Sequence, residues 1–429
     1  MLSLVVAVLA GQLAPPMHFL QPNLSRPSVV SGPAFEFAPL SGAGIGTACA
    51  CAAVTGSKGE AVTWTRGSTA ECTTLGLATS GLTTTSMFQC ASNLPRVESD
   101  GTALGVLVER TGTNNLPRSE ALDNVAWTAT ATVTADQATS PKNTATGDQL
   151  SDGSALALQG VSQAFVTSSL TRQSVSCYVR AGTLTSATIA MAGTGNAAGD
   201  CTNTVTGLSG TTWNRLSCSS SAAYAAGLTA VTLTLSVGTV VGDTGTIMAW
   251  GCQHELNGYV TSYIPTVAAA ATRSGESNSI NGQTAGLPGG SMSVTAYVTP
   301  EFVQALIPAL TGIVEGQIGS ASGAGLYFGS GVGLRCQTLN AGAQTLDGTP
   351  APAIAIGVTR KWGCLNVGGN STVYEDSAIL AGPTAKNSIA APWSTTTGIG
   401  YSPVSGATSA LDGIISRVCI DATAGKCPQ

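Results

Sequence analysis

Residues 231–237 alternate strictly: Val231, Leu233, Leu235 and Val237 are apolar, and Thr232, Thr234 and Ser236 between them carry hydroxyls. A period of two places every apolar side chain on one face of a strand, whereas a helix would scatter them around its circumference. The same alternation opens the last third of the chain, where Met292, Val294, Ala296 and Val298 are separated by Ser293, Thr295 and Tyr297. Shorter runs of this kind stand at 35–37, 61–66, 93–97, 105–109, 325–328, 332–339, 361–367, 372–375 and 414–420. Only 301–310 has a helical look, and Pro308 limits it. Many short strands without intervening helices predict antiparallel sandwiches, so the expected fold class is all-β.

A chain of 429 residues exceeds one core and predicts about two to four domains. Proline-rich stretches and shifts of pattern divide it into an apolar segment and Pro-rich arm (1–35), a small β-rich module (36–117), a second module (118–272) and a third (276–429). Residues 2–10 are apolar enough for the core of a secretion signal but have no basic residue before them. Only 9% of residues are charged, the net charge is -5, and the basic residues are scattered singly. No stripe tracks a phosphate backbone, so nucleic acid is excluded as an expected partner. No heptad segment sets an oligomeric state.

Twelve cysteines fall into three sets: Cys49, Cys51, Cys72 and Cys90; Cys177, Cys201, Cys218 and Cys252; Cys336, Cys364, Cys419 and Cys427. An even number per module predicts disulfides within each set and an oxidising compartment. Zinc is the weaker reading, because no CxxC pair occurs and the two histidines, His18 and His254, lie far from any four-ligand pattern. The spacing leaves the pairing open.

An ordered series of landmarks runs through residues 60–273: Val62-Thr63-Trp64-Thr65-Arg66-Gly67, Asn93-Leu94-Pro95-Arg96, Asn114-Asn115-Leu116-Pro117-Arg118, Trp213-Asn214-Arg215, Trp250-Gly251-Cys252-Gln253-His254-Glu255 and Thr261-Ser262-Tyr263-Ile264-Pro265-Thr266. Together they resemble modular bacteriophage virion proteins of the tail-fibre and minor structural kind, and their secreted bacterial relatives. The resemblance implies a carbohydrate-binding jelly roll over 118–272. More loosely, through Leu411-Asp412-Gly413-Ile414-Ile415, it implies a concanavalin A-like or laminin-G-like sandwich over 276–429. Twelve cysteines depart from that pattern, since such proteins are assembled in a reducing cytoplasm. The implied localisation is a virion or the extracellular space, with surface glycans and other virion or surface proteins as partners.

Sugar binding on a sandwich needs flat aromatic faces beside planar polar groups. In 174–180 the apolar phase is Val175, Cys177 and Val179, which turns Tyr178 and Arg180 outward. In 213–218 Leu216 and Cys218 point inward and Trp213 and Arg215 outward. In 247–256 the inward phase is Met248, Trp250, Cys252, His254 and Leu256, leaving Gln253 and Glu255 outward. Tyr178, Arg180, Trp213, Arg215, Gln253 and Glu255 therefore form a candidate glycan platform if their strands share a sheet. In the competing reading a neighbouring module covers Tyr178 and Trp213, and Arg215 pairs with Glu255. Trp64, Trp127, Trp250, Trp362 and Trp393 read as core or interface residues; Tyr259 and Tyr263, in or near a turn, could stack on a sugar but read first as locks on the module exit.

No GxSxG elbow or pair of facing carboxylates marks a catalytic site, so the chain reads as non-enzymatic. The alternatives are a secreted adhesin and a polysaccharide-degrading enzyme with an unrecognised site. No cofactor is expected. A structural calcium ion is compatible with the Asp-Gly turns at Asp100, Asp152, Asp347 and Asp412, although no EF-hand ligand series is present.

Overall fold

The computed structural model describes residues 35–37, 62–73, 83–84, 87–99, 104–280, 291–302, 310–319, 322–329, 333–340, 343–348, 354–367, 370–385, 396–400, 410–421 and 427. By contacts the chain forms two units, Met1–Gly32 and Pro33–Gln429, and all described residues belong to the second. Among them every regular element is a strand and every sheet pairing is antiparallel, as the alternation predicts. The helical expectation at 301–310, the apolar segment 2–10, Trp393, Cys49 and Cys51 fall wholly or largely outside the described residues.

Residues 118–272 build one sandwich. One sheet runs in the order Thr132–Thr139, Ala145–Asp152, Gly245–Glu255, Ser174–Ala181, Trp213–Ser219 and Thr83–Thr84, the other Cys201–Val205, Ala187–Thr194, Ala230–Val237, Gly160–Val166 and Thr128–Ala129. From Ala145–Asp152 to Ala187–Thr194, and again from Trp213–Ser219 to Gly245–Glu255, each strand crosses to the opposite sheet, which is the winding of a jelly roll. The alternating strand at 230–237 works as its pattern demands. Val231, Leu233, Leu235 and Val237 enter the core between the sheets beside Ile189, Met191, Val175 and Ile247.

The second sandwich lies between an eight-stranded and a seven-stranded sheet. The first orders Ala378–Ala385, Asn370–Glu375, Arg360–Val367, Met292–Pro300, Gly413–Asp421, Leu104–Val108 and Arg96–Ser99, with Phe35–Phe37 also paired to Gly413–Asp421. The other orders Val62–Thr63, Asn278–Ile280, Thr397–Ile399, Leu310–Gly319, Ser322–Gly329, Gly333–Asn340 and Ala343–Gly348. Val294, Ala296, Val298, Phe328, Leu326 and Trp362 fill its core.

This topology corrects the separate module expected over 36–117. Four of its strands complete the sheets of the C-terminal sandwich, and Thr83–Thr84 extends a jelly-roll sheet against Trp213 and Asn214. The strands are too short to bury a face of their own, so they borrow edges from larger sheets.

Among the described residues five disulfides close within the three cysteine sets: Cys72–Cys90, Cys177–Cys252, Cys201–Cys218, Cys336–Cys364 and Cys419–Cys427. Cys201–Cys218 ties the edges of the two jelly-roll sheets together, and Cys336–Cys364 crosses between the two sheets of the C-terminal sandwich.

Candidate functional site

The six residues of the expected platform do meet on one sheet face. In antiparallel register, paired residues share a face. Tyr178 pairs with Arg215 on one side and Trp250 on the other, Ser176 with Gln253, and Ser174 with Glu255. Arg180 stacks its guanidinium over Trp213 at 5.2 Å from the ring centroid.

The expected phase of 247–256 needs correction. Between the pairs Ser176/Gln253 and Tyr178/Trp250, one residue on the first strand faces two on the second, which is a β-bulge. The extra residue reverses the phase. Met248 and Trp250 therefore lie on the platform face, while Ile247, Ala249 and Cys252 enter the jelly-roll core. His254 is buried, with Nε2 2.8 Å from Gln173 Oε1 and its ring 5.0 Å from that of Phe165. Leu256, expected inward, is 42% exposed beyond the strand end. The bulge requires Gly251: its φ is +61°, and a Cβ there would stand 3.2 Å from the rings of both Tyr178 and Tyr263.

The platform face is covered, which corrects the expectation of an open sugar surface. Tyr178, Trp213, Arg215, Gln253 and Glu255 are all buried, and Arg180 is half-buried. Over the aromatic half, Tyr263 lies edge-on to Tyr178 at 5.9 Å and against Trp250 at 4.8 Å, with Met87 beside them. The indole nitrogens of Trp213 and Trp250 donate to Thr139 O and Thr146 Oγ1. Over the polar half, Glu255 accepts from Thr261 N at 2.8 Å, Thr261 Oγ1 at 2.6 Å and Gln253 Nε2 at 2.7 Å, while Arg215 donates to Thr261 O at 2.7 Å. Burial pushes the Glu255 carboxyl up, against these hydrogen bonds and the Arg215 charge. Residues 259–266 thus form a strap lying along the face, and Tyr259 and Tyr263 are the buried locks the sequence predicts.

Beneath the strap lies an ion cluster that the sequence reading missed. Arg96 Nη2 bridges Glu109 at 2.6 Å and Glu276 at 2.8 Å; Arg66 reaches Glu276 at 3.2 Å; Arg273 reaches Glu109 at 3.3 Å and Glu276 at 3.4 Å. Ser262 hydrogen-bonds both Arg96 and Glu109. Burial alone would raise the Glu109 carboxyl; Arg273, Arg96 and the Ser262 hydrogen bonds outweigh it and hold it down to about 2. Burial likewise opposes the Arg96 charge, and Glu276 and Glu109 overcome it, pushing the guanidinium pKa up. These residues come from the N-terminal strands, the strap and its exit, so the cluster binds three stretches of chain at one point. Its signal in the sequence was an arginine in each of several landmarks of a chain with very few charges.

What remains open beside this face is a cavity of ≈ 300 Å³ lined by Arg110, Thr111, Gly112, Thr113, Asn115, Glu255, Leu256 and Asn257. The exposed part of Arg110 is held in place: its Nε donates to Asp412 at 2.5 Å, and its guanidinium lies 5.1 Å from the centre of the Tyr259 ring, whose hydroxyl also bonds Asp412. The ribbon of Gly112–Asn114 paired with Ala271–Arg273 forms one wall, and its second strand lines a smaller cavity of ≈ 130 Å³ with Glu71, Tyr263 and Pro265. Among the described residues no group of three or more histidine, cysteine, aspartate or glutamate side chains is placed to hold a metal ion. Of the Asp-Gly turns, Asp152 caps its own loop by accepting from Ser154 N and Gln159 N.

No family model matches this chain, and no curated protein matches it. Solved structures aligned with it include the N-terminal CBM22-1–CBM22-2 tandem domain of Xyn10C from Paenibacillus barcinonensis (13% identity, 74% of this chain and 98% of that one, TM-score 0.24). Domains LG4-5 of the mouse laminin α1 chain align at 10% identity over 73% of this chain and 89% of that one, with a TM-score of 0.25. Truncated AlyQ, with CBM32 and alginate lyase domains, aligns at 10% identity over 73% and 99%, with a TM-score of 0.21. At these scores the alignments transfer neither ligand nor activity to this chain.

Proposed function

We propose that this chain is a non-enzymatic, multi-domain surface protein that binds a glycan in the cavity beside the strap. The observation that carries the reading is the chemistry of that ≈ 300 Å³ cavity. Asn115, Asn257, Arg110 and two threonines offer planar and hydroxyl groups suited to vicinal sugar hydroxyls, and Leu256 offers one apolar wall for the C–H face of a ring. Asp412 balances the Arg110 charge, which favours a neutral sugar over an acidic one.

Among the described residues Glu255 is the one carboxylate on the wall, and it is committed to Thr261 and Gln253. Glycoside hydrolysis calls for two carboxyl groups about 5–10 Å apart across the bond, so the cavity favours binding over cleavage. The five disulfides support export to an oxidising space. The ordered landmarks support attachment of a virion or cell to a host surface, with a secreted adhesin as the alternative. The test is a glycan array with the wild-type protein and Asn257→Trp, which fills the cavity. Binding that falls at least about tenfold in the variant, a loss of about 1.4 kcal/mol, supports the reading. No glycan bound by the wild type, or equal binding by the variant, overturns it.

A further inference from the structure

Lys142 lies in the turn between Thr132–Thr139 and Ala145–Asp152, apart from the cavity and the ion cluster. Its Nζ is 3.0 Å from Glu71 Oε1 and 3.0 Å from Glu120 Oε1. Glu71 belongs to the N-terminal hairpin strand Ala70–Thr73, and Lys142 and Glu120 to the jelly roll. The rings of Trp250 and Tyr263 stand around the ammonium group, each 5.8 Å from it, and the Tyr263 hydroxyl donates to Glu120 Oε1 at 3.3 Å. The two carboxyl groups differ in environment: the Glu71 side chain is 2% exposed and that of Glu120 27%. Burial pushes the Glu71 carboxyl up, against the pull of Lys142. Among the described residues its Oε2 has no hydrogen-bond partner.

We propose that Lys142 and Glu71 are joined by a spontaneous amide bond, with Glu120 as the proton acceptor. The Glu120 carboxylate takes one proton from the Lys142 ammonium group. The freed nitrogen lone pair adds to Cδ of the protonated Glu71 carboxyl, a C–N bond forms, the C–OH bond breaks, and the hydroxyl leaves as water with a second proton from the nitrogen. The products are the amide, one water and protonated Glu120; charge and protons balance, and no atom changes oxidation state. In water this condensation is unfavourable, because both partners are ionised and separate freely. Here the fold holds them at contact, which removes the entropic barrier to their meeting, and the amide replaces a partly buried charge pair by a neutral link. The bond would staple the N-terminal hairpin to the jelly roll across the aromatic cluster.

The test is peptide mapping of the folded, purified protein after reduction and tryptic digestion. Cleavage after Arg66, Arg96, Arg118 and Arg172 isolates Glu71 in peptide 67–96 and Lys142 in peptide 119–172. The expected product is a single species of both peptides, lighter than their sum by one water, absent from Lys142→Arg and reduced at least about tenfold in Glu120→Gln. Wild-type protein that is cut after Lys142 and releases peptide 67–96 unlinked overturns the proposal and leaves an ion pair. A link from Lys142 to Glu120 overturns the assignment of Glu71. Because the wild-type measurement decides the matter by itself, a variant that fails to fold does not protect the proposal.

Discussion

At the scale of single residues, two positions decide how the 245–255 strand is read. Gly251 sits at φ +61° with two tyrosine rings 3.2 Å from where a Cβ would be. Gly251→Ala is expected to lower stability by about 1–3 kcal/mol, since it meets both the left-handed backbone and the packed rings; equilibrium denaturation measures it, and a change within a few tenths of a kcal/mol would refute the bulge. His254 is the second. Burial holds its imidazole down to about 3 from an ordinary 6.5. As pH falls below 6.5 the unfolded chain takes up a proton that the native state refuses, so stability falls with decreasing pH from about 6.5 to about 3, with a slope of at most about 1.4 kcal/mol per pH unit. His254→Gln removes this component. Glu109, held down to about 2, acts in the same sense but at lower pH, between its unfolded value of 4.5 and 2. Urea denaturation of both proteins across this range distinguishes them: equal slopes at pH 5–6 would mean that His254 is protonated in the fold.

At the scale of elements, the ion cluster ties strands that share no local sequence signal. Arg96→Met leaves Glu109 and Glu276 buried with less compensation, and an expected loss of about 3–5 kcal/mol follows. Calorimetry with the Arg96→Met/Glu109→Leu pair checks whether coupling causes the loss: the double variant is expected to be less damaged than the sum of the two single ones. The same elements show what alternation can and cannot reveal. Val231–Val237 was legible because its hydroxyl face and its apolar face differ in every residue. The platform strands were legible in which residues share a face, since pairing follows from period and register. What covers that face was not, because a side chain turned from one core can be buried by another part of the chain, and the strap over Arg215 and Glu255 is a tertiary contact. The 247–256 phase failed for a local reason: one inserted glycine shifts a period-two pattern by a full face. Arg66 and Arg96 stood in plain view as landmarks, but the partner they share, Glu276, lies 210 and 180 residues away, at separations that no spacing rule reaches.

At the scale of the whole molecule, sequence order and sheet order disagree, and that disagreement has a consequence. Reading by composition separates 36–117 from 276–429, yet Val62–Thr63, Arg96–Ser99, Leu104–Val108 and Phe35–Phe37 are strands of the C-terminal sandwich. Val106 and Val108 pack into its core beside Val294 and Val298. Without them the Gly413–Asp421 strand loses neighbours along part of its length and opens an apolar face, a liability that edge strands otherwise avoid. Residues 276–429 expressed alone are therefore expected to aggregate or remain without fixed tertiary structure. Residues 118–272 retain both of their own disulfides and a closed core, and are expected to fold with Tyr263 still against Tyr178 and Trp250 but with the aromatic face opened where Met87 and Thr83–Thr84 lay. Near-UV circular dichroism and hydrogen exchange on the two fragments make the comparison. Co-expression of residues 33–117 with the C-terminal fragment, in the presence of the jelly roll, is expected to restore protection along 413–421. An isolated 276–429 fragment with native-like exchange protection in that strand would mean that the N-terminal strands only decorate the sandwich. Protection that returns only with residues 33–117 would mean that the C-terminal sandwich is complete only when both ends of the chain are present, with the jelly roll inserted between them.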